Sequence, residues 1–170
     1  MLNAAIRQIL LFILLILLQI MLFDKIHLFR VATPMLYIYF ILKLPGRMNR
    51  NMVLFVSAFL GLCIDLFNHT MGMNMLACTI MGFFRYSLLD LFAPRDLFEG
   101  YSPSFRSFGM GAFLRYALVV ALLHHFILFT AESLSFFDPL ALIFRITGSV
   151  ILTILLIFAF ESIHFDTSKK

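Results

Sequence analysis

Six long apolar stretches follow one another along this chain, separated by short groups of polar and turn-forming residues. They are Ile6–Phe23, Val31–Leu44, Met52–Phe67, Met73–Phe92, Gly111–Thr130 and Pro139–Phe160. Each is apolar on all sides rather than along one stripe. A membrane barrel strand would alternate in polarity over about ten residues, and none of these does. Lipid cannot satisfy exposed backbone N–H and C=O groups, which leaves the helix as the spanning element. About 20 mostly apolar residues make one crossing. The pattern therefore predicts an all-α, polytopic membrane protein: a six-helix transmembrane bundle forming one domain over residues 1–170, with no soluble domain.

The second stretch is the shortest. Pro34 fits the first turn of a helix, where its missing N–H costs nothing, and Leu44–Pro45–Gly46 stops that helix. Arg30 and Lys43 flank the stretch and can snorkel toward the two surfaces. Both a full crossing and a shallow, re-entrant element fit its length.

Composition agrees with the pattern. Hydrophobic residues make up 62% and charged residues 13%, where a soluble domain carries about 25% charge. The longest polar stretch, Ala93–Gly109, is too short for a soluble domain. Arg7 ahead of the first apolar run resembles a signal peptide. Phe23–Asp24–Lys25 stands where a small-residue cleavage site belongs, so a retained signal-anchor helix is expected. Cys63 and Cys78 both fall inside apolar stretches and read as buried thiols. Trp is absent, leaving Tyr37, Tyr39, Tyr86, Tyr101 and Tyr116 for any interfacial aromatic belt.

Charge gives an orientation. With the N-terminus in the cytoplasm, the inside segments hold Arg7; Lys43, Arg47 and Arg50; Arg85, Arg95, Arg106 and Arg115; and Lys169 and Lys170. The outside segments hold only Lys25, Arg30 and Arg145 of the 13 basic residues. Basic residues concentrate on the cytoplasmic side, so both termini are expected there. The net charge of +4 reflects these loops, and no basic run is long enough to bind nucleic acid.

A few residues break the apolar pattern. Asp65 is the outlier, because a carboxylate within a span costs roughly 2.5–3.5 kcal/mol on insertion scales and usually has a partner inside the protein. At helical spacing Gly61, Asp65, Asn68 and Gly72 share one face, and Gly61 lets another helix approach. Three roles are open to Asp65: hydrogen bonding within the bundle or capping the next turn, a partner interface or switch, and proton or ion transfer. Asn68 and Gly72 suit a helix C-cap and a tight turn. His124–His125 lies late in the fifth stretch. His125 and Glu132 share a face, whereas adjacent histidines cannot jointly grip a metal as an i, i+4 pair can. Interfacial histidines near the outer surface are expected, with Glu132 and Asp138 in the outer turn facing a partner's basic groups. The Phe92–Gly111 segment, with Phe98, Tyr101, Phe105 and Phe108, is too apolar for a free linker. It reads as a segment along the inner leaflet or a docking surface.

Catalytic signatures do not assemble. There is no His-Glu-x-x-His helix, no Gly-x-Ser-x-Gly elbow, no phosphate-cradling loop and no two-cysteine metal pattern. Ser57, Ser87 and Ser149 have no positioned base. The sequence predicts no catalytic residue, no metal and no cofactor.

The order of features resembles the bacterial rod shape-determining protein MreD family. The likeness rests on Ile6–Phe23 followed by Phe29–Arg30–Val31–Ala32–Thr33–Pro34, and on Tyr37–Ile38–Tyr39–Phe40 leading into Leu42–Lys43–Leu44–Pro45. It continues in Gly61–Leu62–Cys63–Ile64–Asp65 with Gly72 beyond, and in Leu91–Phe92–Ala93–Pro94–Arg95, so it covers nearly the whole chain. The resemblance implies a non-enzymatic member of the cell-wall elongation machinery. It implies pairing with the single-span protein MreC, and through it links to the actin-like MreB and to the synthase pair RodA and penicillin-binding protein 2. It also implies a bundle similar to the substrate-binding S-component of energy-coupling factor transporters, a likeness of fold that carries no ligand with it. On the resemblance, the Gly61/Asp65/Asn68/Gly72 face matches the family motif, either packed internally or touching MreC. A small-molecule-binding S-component-like transporter subunit is the competing expectation, with Asp65, Asn68, Asn74, His124 and His125 as its sparse pocket-lining groups.

Overall fold

The computed structural model describes residues 2–23, 32–70, 72–95, 97, 100–133 and 138–167. Lys25, Arg30, Val31, Phe98, Lys169 and Lys170, which entered the sequence reading, lie outside the described residues. The described chain is helical: α1 (Leu2–Met21), α2 (Ile38–Lys43), α3 (Arg50–Asn68), α4 (Met73–Phe92), α5 (Phe105–Phe108), α6 (Met110–Glu132) and α7 (Pro139–Thr167). Four helices are long and apolar enough to cross a membrane, over Arg50–Asn68, Met73–Phe92, Met110–Glu132 and Pro139–Ile163. In α1 the corresponding apolar stretch is Ala5–Met21, and it is shorter.

Local chemistry sets the helix ends. Asn49 caps α3, its Oδ1 accepting the Asn51 N–H at 2.9 Å, as a short polar side chain does at an N-cap. Pro94 forbids continuation of α4 by biasing Ala93 toward extended backbone. Asp138 accepts the Ala141 N–H at 3.0 Å at the start of α7, with Pro139 in the first turn.

The helices run between two ends of the molecule, named here for the carboxylates they hold. At the Asp65 end lie the C-termini of α3 and α6 and the N-termini of α4 and α7. At the Glu161 end lie α5, the start of α3 and the C-terminal part of α7. α4 packs between α3 and α6, and α6 packs in turn on α7. The most enclosed long helix is α6, whose buried pairs Tyr116/Ala117, Val120/Ala121, His124/His125 and Leu128/Phe129 recur every four residues, giving it a wide inward stripe. The outward faces carry large exposed apolar side chains, among them Ile9, Phe55, Leu66, Phe84, Phe126, Phe144 and Leu155. An apolar surface this extensive suits lipid rather than water.

The stretch expected as a second span is built differently from the others. Its helix begins only at Ile38 and lasts six residues, so Pro34 lies in a non-helical lead-in and not in a first helical turn. The segment is enclosed by protein: Leu36, Tyr37, Ile38, Tyr39, Ile41 and Leu42 are each 1% exposed or less. It runs antiparallel to α1, with Pro34 and Leu36 meeting Gln19 and Lys43 meeting Gln8. It runs parallel to α7, with Thr33 meeting Ser149 and Lys43 meeting Glu161. At 1.5 Å per residue along α7, that traverse covers about 18 Å, well short of an approximately 30 Å hydrocarbon core. Non-helical backbone at such depth survives only where protein surrounds and satisfies it, and residues 32–44 meet both conditions.

Candidate functional site: two buried polar networks around residues 32–44

The central segment leaves backbone groups without helical partners, and long-range side chains supply them. Ser149 Oγ accepts the Thr33 N–H at 3.0 Å and Thr153 Oγ1 accepts the Met35 N–H at 3.0 Å. Gln19 serves both sides of the turn, donating from Nε2 to the Pro34 carbonyl at 3.1 Å and accepting the Leu36 N–H at 2.8 Å. At the other end, Arg85 Nε donates to the Ile41 carbonyl at 3.0 Å, and Nη2 donates to the Leu44 carbonyl and, at 3.4 Å, to that of Pro45. The last carbonyls of a helix have no partners within it; here the guanidinium serves Ile41 and the two residues just beyond the helix, and Gln8 Nε2 donates to the Lys43 carbonyl at 3.4 Å. Arg85, expected among the inner loop cations, is 1% exposed, so it is a structural part of the bundle. Tyr116 lies beside it.

At the Asp65 end the carboxylate closes the α3–α4 corner. Asp65 is 3% exposed. Its Oδ1 accepts the Asn74 N–H at 3.1 Å, Asn74 Nδ2 at 2.9 Å and the Thr70 hydroxyl; its Oδ2 accepts the Met75 N–H at 2.9 Å. Asn74 and Met75 belong to the first turn of α4, so the carboxylate caps that helix. An anion is favourable there, where free N–H groups and the helix dipole converge. Gly61 makes the approach possible: a Cβ at this position would sit 2.5 Å from the Asn74 carbonyl oxygen and the Met75 Cα.

The other residues of that expected face separate. Asn68 is exposed at the last turn of α3, and the C-cap is not Asn68 but His69, in the left-handed region at φ 54°. Gly72 lies beyond the helix at φ 77°, at the N-cap of α4, a conformation that glycine adopts without strain. The shared face therefore ends at Asn68, because the helix does.

From Asp65 the network runs inward. Asn74 Oδ1 accepts the Tyr37 hydroxyl at 2.7 Å, and His124 Nε2 lies 3.1 Å from the same hydroxyl. Since Tyr37 has already donated, His124 Nε2 carries the proton and donates to it. Cys78 Sγ lies 3.7 Å from that nitrogen, so the ring offers the thiol an N–H and not a base. His125 Nδ1 lies 2.8 Å from the Ala121 carbonyl, and Nε2 lies 3.3 Å from Thr153 Oγ1. Both histidines are 0% exposed, so neither is interfacial: the inward face of α6 carries them into the core. Glu132, expected to face a partner, pairs with Arg145 of α7 at 2.6 Å. Arg145 also lies 4.3 Å over the Phe129 ring.

A cavity of about 250 Å³ opens at this end, lined by Gln19, Tyr37, Asn68, Asn74, Glu132 and Arg145 among others. Of the six residues singled out from sequence, only Gly61 and Asp65 meet in one packed unit.

At the Glu161 end a second carboxylate is held by a different set. Glu161 Oε2 accepts the Tyr39 hydroxyl at 2.5 Å and lies 3.1 Å from Lys43 Nζ, while Oε1 accepts the Phe105 N–H at 3.1 Å. The short α5 is thereby tied to the bundle, and its Phe105 packs edge-on against Phe113 of α6. Tyr101, just before it, accepts the Gly46 N–H on its carbonyl at 2.8 Å. Its ring covers Gly46 so closely that any side chain there would overlap it. Burial pushes the Tyr101 hydroxyl pKa up. The part of the 92–111 stretch around Tyr101, Phe105 and Phe108 is packed onto the bundle.

Glu161, Gln19 and Thr153 were not singled out from the sequence; Arg85 was counted among the inner cations and Ser149 was weighed only as a nucleophile. One signal was available: Ser149, Thr153 and Glu161 share a four-residue spacing with Ile157, and all four are buried on α7. Among the described residues no group of three or more His, Cys, Asp or Glu side chains is arranged to hold a metal. No family model matches the chain, and no curated protein or solved structure matches it.

Proposed function

We propose that this chain is a non-enzymatic scaffold of the bacterial cell-wall elongation complex, of the MreD kind. The chain would pass six times between the two faces of the inner membrane, the 32–44 segment doing so inside the bundle and not as a full-length span, with both termini in the cytoplasm, and would bind MreC. MreB and the RodA–penicillin-binding protein 2 pair would connect directly or through MreC. One observation carries the reading. The two buried carboxylates and the polar side chains around residues 32–44 are engaged with helix ends and interrupted backbone, while the long helices present apolar faces outward. A protein whose polar groups are used internally offers partners its shape and its membrane-facing surface. The end segments fit this: the Phe105–Phe108 turn is packed down, and α3 and α4 are joined by residues 69–72 alone.

A second reading, a small-molecule-binding transporter subunit of the S-component type, draws on the cavity lined by Gln19, Tyr37, Asn74, Glu132 and Arg145. A pulldown of the tagged protein from its native membrane in mild detergent separates the two. Recovery of MreC, with or without the synthase pair, supports the scaffold. Recovery of an ATPase pair and a coupling membrane protein without MreC overturns it in favour of the transporter.

A further inference from the structure

Three soft donors converge on one hydroxyl beneath the cavity at the Asp65 end. The Tyr37 oxygen lies 3.1 Å from His124 Nε2 and 3.6 Å from Met35 Sδ, and Cys78 Sγ lies 3.7 Å from the same ring nitrogen. The donors come from three elements: Met35 from the non-helical lead-in, Cys78 from α4 and His124 from α6. Cys78 and His124 are fully enclosed, and Met35 nearly so. Met35 and Tyr37 also line the cavity of about 250 Å³, so the cluster sits just below a polar opening. The interrupted backbone of residues 32–44 is served by Gln19, Arg85, Ser149 and Thr153, which leaves the thiol, the thioether and this imidazole without a part in holding it.

We propose that Met35, Cys78 and His124 form a binding site for copper(I). Thiolate and thioether donors select this ion over hard cations, and imidazole suits copper as well. At metal–nitrogen and metal–sulfur lengths of about 2.0–2.1 and 2.3 Å, one ion bridging the 3.7 Å between Nε2 and Sγ subtends about 115°, close to the angle of a three-coordinate site. Met35 supplies the third donor, its unbranched side chain adjusting without backbone movement. Charge sets the oxidation state. The sulfur loses its proton as it takes the ion, one proton released per copper, so a thiolate with a monovalent cation is as neutral as the thiol it replaces. A divalent ion would add a positive charge to an enclosed site, which burial penalises. The imidazole proton moves from Nε2 to Nδ1, a buried nitrogen with no hydrogen-bond partner, and Tyr37 keeps its bond to Asn74. A bound ion would join the 32–44 segment to α4 and α6 through a single atom. The site stands apart from the scaffold reading and holds whether or not that reading does.

The test titrates the purified full chain in detergent, without oxygen and with ascorbate as reductant, against copper(I) held by the coloured chelator bicinchoninate. Wild type should withdraw one copper(I) per chain, and so should Cys63→Ser, which removes the other cysteine. Cys78→Ser should weaken binding about a hundredfold and Met35→Leu about tenfold, since each removes one soft donor. Zinc(II) should bind far more weakly than copper(I). Copper left wholly on the chelator by wild type would overturn the proposal. So would a Cys78→Ser protein that binds as tightly as wild type, or loss of binding in Cys63→Ser. Zinc(II) bound as tightly as copper(I) would overturn the assignment of the ion. If Cys78→Ser does not fold, X-ray absorption of copper-loaded wild type decides. One nitrogen and two sulfurs around the copper are expected, and a shell of nitrogen and oxygen alone overturns the site.

Discussion

The two ends of the bundle solve one problem, a carboxylate buried at the rim of a membrane domain, in opposite ways. Asp65 is held by the first-turn N–H groups of the adjacent helix, with Asn74 and Thr70, and these contacts span no more than ten positions in sequence. Glu161 is held by Lys43, Tyr39 and the Phe105 N–H, at sequence separations of 118, 122 and 56. The first arrangement uses backbone dipoles and stabilises one corner. The second uses a formal cation and joins three elements, α2, α5 and α7. A helix N-terminus can replace a counter-ion because its free N–H groups are fixed before the anion arrives.

Removing each carboxylate should separate the two. Asp65→Ala leaves two backbone N–H groups, an amide and a hydroxyl without their acceptor. At about 1–3 kcal/mol per buried orphan, we expect a loss of roughly 4 kcal/mol, read as thermal unfolding in detergent. Asp65→Asn keeps one acceptor oxygen and should recover about half. Gly61→Ala attacks the same corner through sterics. The added Cβ meets α4 backbone at 2.5 Å, so the α3–α4 spacing must open, at about 3 kcal/mol. A Gly61→Ala protein as stable as wild type would mean that the close approach is unnecessary.

At the other end the expected signature is coupling. Lys43→Gln and Glu161→Gln should each cost about 2 kcal/mol, and a double-mutant cycle should return roughly 1–2 kcal/mol of interaction for this largely buried pair. Additive effects would show that the pair contributes shape only. The exposed Glu132–Arg145 pair, with side chains 33% and 38% exposed, is the control. Its cycle should give about 0.5 kcal/mol or less, falling with salt.

This contrast also explains what could be read from the sequence. The long helices follow from apolar length alone, and α4 carries the bounds its pattern predicts. Asp65 stands out because a charge in an apolar run is rare, and its partners lie in the next turn of chain. Glu161 escaped notice because it follows the last apolar run, and its partners are set by packing that sequence spacing does not encode. Arg85 was misplaced for a related reason: near a helix end, a loop cation and a buried guanidinium capping another helix look alike. The 32–44 segment has the composition of a span but lacks the length, and its short helix depends on Gln19, Arg85, Ser149 and Thr153 arriving from three other helices. His124 and His125 were assigned to the surface on polarity, yet Tyr37 gives the Nε2 of His124, and Thr153 the Nε2 of His125, a partner within the core.

The claim that the polar residues hold the fold while the surface engages partners has a direct test in Asp65→Asn. The measurement is recovery of the proposed partner, MreC, per folded molecule, comparing that variant with wild type at a temperature where both are monodisperse. Asp65 is enclosed and its oxygens are occupied, so recovery per folded molecule should match wild type even though the variant melts earlier. A variant that melts like wild type yet recovers no MreC would contradict the account, because it would place the carboxylate in the partner interface itself.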